Sequence, residues 1–253
     1  MRAQRYLIAA FLALSLSATS LAADAPKADA QKAGDVDKAR IESIVHDYLL
    51  QHPDVIIQAV RDYQDKLDAE KAKAVQEEVA KRAPDLLHDP ASQVLGNTQS
   101  DCTIVEFFDN QCPYCQANEP ELQKLLKEDG RVKLILKEFP ILGPTSLVAA
   151  KAALASVKQG KYAAFHEALL GHKGHYPSDA VVDDVAKSIG LDLDRLHKDM
   201  NAPEIEAEIG KNLELGRSLD ISGTPGFIIG NQIVPGASTL DELKKYVSDA
   251  CKG

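Results

Sequence analysis

Thr103-Ile104-Val105-Glu106-Phe107-Phe108-Asp109-Asn110-Gln111-Cys112-Pro113-Tyr114-Cys115 is the stretch on which the fold turns. Thr103 to Asp109 has the length and apolar content of a buried strand, and Gln116 to Glu128, after the cysteines, has the pattern of a helix. Cys112 therefore stands where a strand hands over to a helix. Unpaired N–H groups and the macrodipole at a helix N-terminus favour a thiolate and lower a thiol's pKa. The spacing points to dithiol chemistry, with Cys112 the candidate nucleophile and Cys115 its resolving partner.

Downstream, Val132 to Phe139 reads as a second strand. Strand, helix and strand in close succession make a βαβ unit, with parallel pairing and a right-handed crossover. Thr145 to about Leu219 reads as several helices, broken near Gly171–Pro177 and Gly190–Asp192, with Pro203 opening the last. Phe227-Ile228-Ile229 and Gln232-Ile233-Val234 then flank Gly230-Asn231, a two-residue hairpin signal. A terminal helix, Leu240 to Ala250, follows Ser238 or Thr239 and carries Asp241 and Glu242 in its first turn.

Upstream, residues 1–22 have a basic start, an apolar centre and a small-residue exit at Ser20-Leu21-Ala22, the pattern of a cleaved secretory signal. The apolar run is shorter than the roughly 20 residues of a spanning helix. An oxidising compartment such as a bacterial periplasm is expected. Loss of Arg2 and Arg5 takes the formal charge from -9 to -11, which disfavours nucleic acid as a partner. Residues 23–34, rich in Ala, Lys and Asp, are expected to be a disordered leader.

Residues 35–90 form an expected helical segment and stalk. Ile41, Ile44, Val45, Tyr48 and Leu49 share one face of a first helix, and a second, opened by Pro53, carries Val55, Ile56, Val60 and Leu67. Two short amphipathic helices cannot bury these faces alone. They either pack on the rest of the chain or self-associate, as a dimer or trimer, through residues 36–67.

The element order, Cys112-Pro113-Tyr114-Cys115 after the first strand, and Gly223-Thr224-Pro225-Gly226 before the hairpin resemble the thioredoxin fold. The long helical insertion, together with Phe107-Phe108 and Lys137-Glu138-Phe139-Pro140, narrows the resemblance to the DsbA family of periplasmic thiol oxidoreductases. It implies an α/β thioredoxin-like domain over 91–253 with a helical insertion at 145–220, preceded by the N-terminal helical segment for oligomerisation. It also implies a cis peptide before Pro225, with Thr224 presenting its backbone to an incoming peptide. Pro113 and Tyr114 tune the redox potential. Glu106 and Lys137 resemble the family's acid and lysine, a pair that helps move the proton when Cys115 becomes a thiolate. A buried carboxylate and ammonium are tolerable only when paired, so a structural ion pair is the competing role.

The extension ahead of Asp101 resembles that of ScsC-like members of the family, which self-associate, and threonine at 224 resembles the disulfide isomerases, where DsbA has valine. The implied function is thiol:disulfide exchange on secreted proteins by an oligomer with isomerase capacity, recharged by a membrane redox partner. A DsbA-like dithiol oxidase is the alternative within the class; a metal-binding or redox-inactive chaperone module is the alternative outside it. No cofactor is implied, and no resident metal, because no second Cys-x-x-Cys accompanies the first. In a thioredoxin fold Cys102 and Cys251 fall at the pole away from Cys112, where they can form a structural disulfide; a free or intermolecular Cys251 is the other possibility.

Overall fold

The structure, a computed structural model, describes residues 27–172, 174–176 and 178–251. The expected signal peptide and the start of the leader lie outside the described residues. The chain divides between Gln64 and Asp65 into two units.

In the first unit, helix α1 (Lys27–Gln51) ends just before Pro53, which opens α2 (Pro53–Lys81). The break comes where proline's ring and missing N–H stop a helix but suit the first turn of the next. Lys27–Gly34 of the expected disordered leader are helical, because Ala, Lys and Gln propagate a helix cheaply once the amphipathic part has nucleated it. Ile41, Ile44, Tyr48, Val55, Ile56 and Val60 are all exposed.

The second unit begins inside α2, at Asp65. Val75 and Val79 of α2 and Leu86 of the short α3 (Ala83–Leu87) bury themselves against the sheet, so the end of the expected stalk is part of the domain. The polar Ala/Lys/Glu composition of that stretch hides two valines one turn apart. A five-stranded sheet has the order β1 (Gln93–Gly96), β3 (Lys133–Glu138), β2 (Thr103–Phe108), β4 (Gly226–Ile229), β5 (Gln232–Pro235). Strands β2 and β3 are parallel, joined by α4 (Pro113–Glu128); the other neighbours are antiparallel. Strand β1, too short and mixed to register as an apolar run, was not anticipated.

Between β3 and β4 come α5 (Pro144–Ser156), α6 (Tyr162–Gly171), α7 (Asp179–Ser188), α8 (Leu193–Asp199) and α9 (Pro203–Ser218), the expected insertion. Gly230 turns the β4–β5 hairpin with a φ of 63°. Thr239 caps α10 (Leu240–Ala250), and Glu242 completes a capping box.

The sheet separates two apolar layers. Ile104, Phe108, Leu134 and Leu136 face α4, α6 and α10, whereas Val105, Phe107, Ile135 and Ile228 face α2, α3 and α9. At about 25 cal/mol per Å² of apolar surface, these two layers are the main force holding the domain. Among the described residues no helix is long and apolar enough to cross a membrane.

Candidate active site

Cys112 is the N-cap of α4, with extended backbone (φ -72°, ψ 118°), and Pro113 fills the first helical position. Proline is well placed there because its missing N–H is one the helix leaves unpaired. The turn is tied from both sides. Asp109 Oδ1 accepts from Gln111 N at 2.8 Å, while its Oδ2 accepts from the N–H groups of Ile141 and Leu142 at 2.9 and 3.0 Å. Gln111, also buried, donates to Ser146 Oγ and accepts from Tyr176 N, linking the turn to the insertion. The sequence reading missed Asp109 and Gln111. Polar residues inside a turn carry no periodic signal, although two of them between a buried strand and Cys-x-x-Cys could have drawn attention.

The peptide bond Thr224–Pro225 is cis. Cys112 Sγ lies 3.1 Å from the Thr224 carbonyl oxygen, and Pro225 O accepts from Gly236 N at 2.8 Å, which fastens the loop to the end of β5. The Cys112 thiol is pulled down to about 5. Its thiolate accepts a hydrogen bond from the Cys115 thiol first of all, then from the Thr224 side chain and the N–H groups of Cys115 and Tyr114, and together these outweigh partial burial. Cys115 is pushed the opposite way, mainly by burial, then by its bond to Cys112 and the charge of Glu106. One thiol is thus poised as a thiolate and its neighbour is held protonated behind it. Tyr114 is exposed at the edge of a groove of about 490 Å³ that Thr224, Pro225, Ile233 and Pro235 also line.

Glu106 lies under this pair, 1% exposed, and burial holds its carboxyl well above the usual range, with the charges of Glu119, Glu138 and Cys112 adding to the effect. Lys137 is not its partner. The register sets Glu106 against Leu136 and Phe107 against Lys137, so the acid and the lysine project from opposite faces of the sheet. Lys137 Nζ instead stands 3.5 Å from Asp89 Oδ2 and donates to the Asp85 carbonyl at 2.8 Å and to Ser92 Oγ at 2.5 Å. The expected relay pair is therefore corrected to a buried acid under the thiols and a structural ammonium on the other side of the sheet.

Cys102, just before β2, and Cys251, at the end of α10, are disulfide-bonded with Cα atoms 5.3 Å apart. Among the described residues no three His, Cys, Asp or Glu side chains gather to hold a metal ion.

A cis-proline loop facing a Cys-x-x-Cys at a helix N-terminus, on a sheet of this order, defines a thioredoxin-fold dithiol protein. The thioredoxin family model matches residues 88–249, and a model described as the copper resistance protein ScsC N-terminal domain matches residues 37–70. A thioredoxin-like oxidoreductase from Silicibacter pomeroyi is 43% identical, with a TM-score of 0.65 over 67% of this chain and 98% of its own. The catalytic domain of Proteus mirabilis ScsC is 30% identical, with a TM-score of 0.64 over 70% and 99%. A probable disulfide bond formation protein D of Bacillus cereus is 26% identical over 63% of this chain and 79% of its own. The chain spans only 25% of the length of another relative, a Na(+)/H(+) antiporter NhaA 1 of Salinispora arenicola, to which it is 29% identical. The chain belongs to the thioredoxin family, in its DsbA-type branch, with an ScsC-like N-terminus.

Proposed function

We propose that this chain exchanges disulfides with secreted proteins in the periplasm through Cys112 and Cys115, as a homo-oligomer with isomerase capacity. The observation that carries the reading is the Cys112 sulfur itself: it sits at the start of α4, 3.1 Å from the backbone of Thr224 before a cis-proline, with a thiol pulled down to about 5. A substrate thiolate attacks Cys112 in the disulfide form, the bond to Cys115 breaks, and a second substrate thiolate displaces Cys112 to leave the substrate oxidised. In isomerisation the reduced Cys112 thiolate attacks a wrong substrate disulfide, and the substrate thiolate so released attacks another bond until Cys112 is expelled.

The substrate chain lies extended along the groove beside Thr224. A second groove of about 470 Å³ continues it past Ile233 and Pro235, between β5 and the Ala72 and Val75 positions of α2. Val75 and Ile233 give it apolar walls, and Gln76, Gln232 and the charged Lys71 and Asp220 line it as well.

Oligomerisation through residues 36–67 is supported by the exposed row of Ile41, Ile44, Tyr48, Val55, Ile56 and Val60, which a lone chain would leave in water. The low Cys112 pKa favours a second reading, net oxidation, because a stabilised thiolate is a good leaving group and makes the disulfide form oxidising; a membrane redox partner would then reoxidise the dithiol. Recovery of a scrambled disulfide protein by the full chain, beside oxidation of a reduced one, tests both. Cys112→Ala abolishes both activities; full activity in that variant would sink the enzyme reading and favour a chaperone. Recovery absent while oxidation persists would leave the oxidase.

A further inference from the structure

Glu138, the last residue of β3, is a buried carboxyl that the exchange steps leave without a task. The register sets it beside Phe108, on the sheet face opposite to that of Lys137, and it is as enclosed as the core around it. Burial holds its carboxyl well above the usual range against the bonds it accepts, and the charge of Asp109 adds to the effect. Burying such a group is costly, so the bonds it makes there count. Its Oε2 accepts from Asn110 Nδ2 at 2.9 Å, and its Oε1 accepts from the Tyr162 hydroxyl at 3.0 Å. Asn110 stands two residues ahead of Cys112, whereas Tyr162 opens α6 of the insertion.

Asn110 is held at its backbone as well. Its carbonyl accepts from Gln116 Nε2 at 3.0 Å, and Gln116 follows Cys115 on α4. The Gln116 amide also donates to the Gly174 carbonyl and accepts from Gly174 N, both at 3.2 Å, in the loop after α6. Residues 109–111 belong to no helix or strand, so side-chain bonds decide where this turn lies and where it delivers Cys112. Two routes thus lead from the insertion to Asn110, one through Tyr162 and Glu138 to its side chain and one through Gly174 and Gln116 to its carbonyl.

We propose that Glu138 is a positioning residue for the redox pair: by bonding Asn110 and Tyr162 at once it fixes the turn ahead of Cys112 to the helical insertion, and so holds the Cys112 sulfur against its hydrogen-bond donors. The inference rests on the disulfide-exchange reading above, because it concerns how firmly that thiolate is held and not what it attacks. Glu138 acts through Asn110 and not on the sulfurs. Hydrogen bonds weaken steeply as their geometry opens, and it is such bonds, from Cys115, Thr224 and Tyr114, that hold the Cys112 thiol down at about 5. A turn released from Glu138 loosens them, so the thiol rises. The thiolate is then a poorer leaving group, and the disulfide form oxidises less strongly.

The test takes two readings on the full chain: the Cys112 titration by thiolate absorbance, and the equilibrium in which two glutathione thiols reduce the Cys112–Cys115 disulfide and leave as glutathione disulfide. Glu138→Leu should weaken the acidity of Cys112 about tenfold and lower that equilibrium constant about tenfold, or ~30 mV. Glu138→Gln should keep both within about twofold of the parent. Its carbonyl still accepts from Tyr162, and its amide donates to Asn110 Oδ1, which has no partner among the described residues, once the Asn110 amide turns over. Asn110→Ala should match Glu138→Leu, with the double variant about as far from the parent as either single one. Tyr162→Phe, which keeps the ring and loses only the hydroxyl, serves if the other variants do not fold, and should move both readings the same way about threefold. Readings within about twofold of the parent in folded Glu138→Leu, or in Tyr162→Phe where that variant serves, overturn the proposal, and a loss of stability alone marks a purely structural carboxyl. Glu138→Gln displaced as far as Glu138→Leu overturns it too, because the carboxyl then acts by its proton and not by the bonds it makes. A parent chain whose disulfide exchanges with neither glutathione nor a reduced dithiol peptide overturns the disulfide-exchange reading itself.

Discussion

At the scale of single residues, the two thiols differ because one terminates a helix and the other is enclosed by it. Cys112 in the reduced fold titrates at about 5, and a free cysteine titrates at about 8.5. Its thiolate therefore stabilises the reduced fold fully above about pH 8.5, and that stability is lost as pH falls through about 5. Thermal melts of the reduced chain and of Cys112→Ala between these limits should diverge as pH rises; parallel curves would mean that the helix terminus does not stabilise the thiolate. Glu106 has the opposite sign. Its carboxyl is raised by burial, so it is neutral when folded and ionised when unfolded at neutral pH, and the fold loses stability as pH rises above the unfolded value of about 4.3. Glu106→Gln should accordingly stabilise the chain at neutral pH by about 1–3 kcal/mol, with the gain vanishing below about pH 4, while slowing Cys115 release. Stabilisation that is flat across this range would show that Glu106 is not the buried acid.

At the scale of elements, strand β3 separates two sets of charges that the sequence made look like one. Lys137→Met leaves Asp89 paired with Lys211, 2.9 Å away, and removes the donor that ties Ser92 and the Asp85 carbonyl to the sheet. A loss of about 3 kcal/mol in denaturant melts is expected, with the Cys112 titration unmoved; a shift in that titration would restore Lys137 to the active-site side. The Cys102–Cys251 bond joins the start of β2 to the end of α10 across 149 residues of sequence. Replacing both cysteines by serine should cost about 4–5 kcal/mol, measured in the same melts. The strand, helix and hairpin order around Cys112 was legible because each element carries its own period or turn signal. Pairing between Glu106 and Lys137 was not, since alternation fixes the faces within one strand, and only the Glu106↔Leu136 register relates them between two. Val75 and Val79 escaped notice for a related reason. Two valines in a charged helix gain meaning only when a sheet face lies beside them.

At the scale of the whole molecule, Cys112, Cys115, Thr224 and Pro225 all lie in the second unit, so under the proposed function the N-terminal helices answer for any difference in the outcome of exchange. A single thiolate can attack a wrong disulfide, but correcting it requires the substrate to stay close through several rounds, and several sites on one assembly raise the local concentration of thiols around a captured chain. The helices supply an exposed apolar row, in which Ile44 and Val60 are 59% and 50% exposed. Placing a charge in a buried helix interface is costly, so Ile44→Asp with Val60→Asp in the full chain should turn the proposed oligomer into a monomer by light scattering while the helices of the second unit keep their circular dichroism. Oxidation of a reduced peptide should then stay within about twofold of the parent, because Cys112, Thr224 and Pro225 all lie in the other unit, whereas recovery of a scrambled protein should fall about tenfold or more. Recovery that survives in a monomer would assign isomerisation to the single site and leave the helices without a part in it. An unchanged mass would show that the exposed row is not what joins the chains.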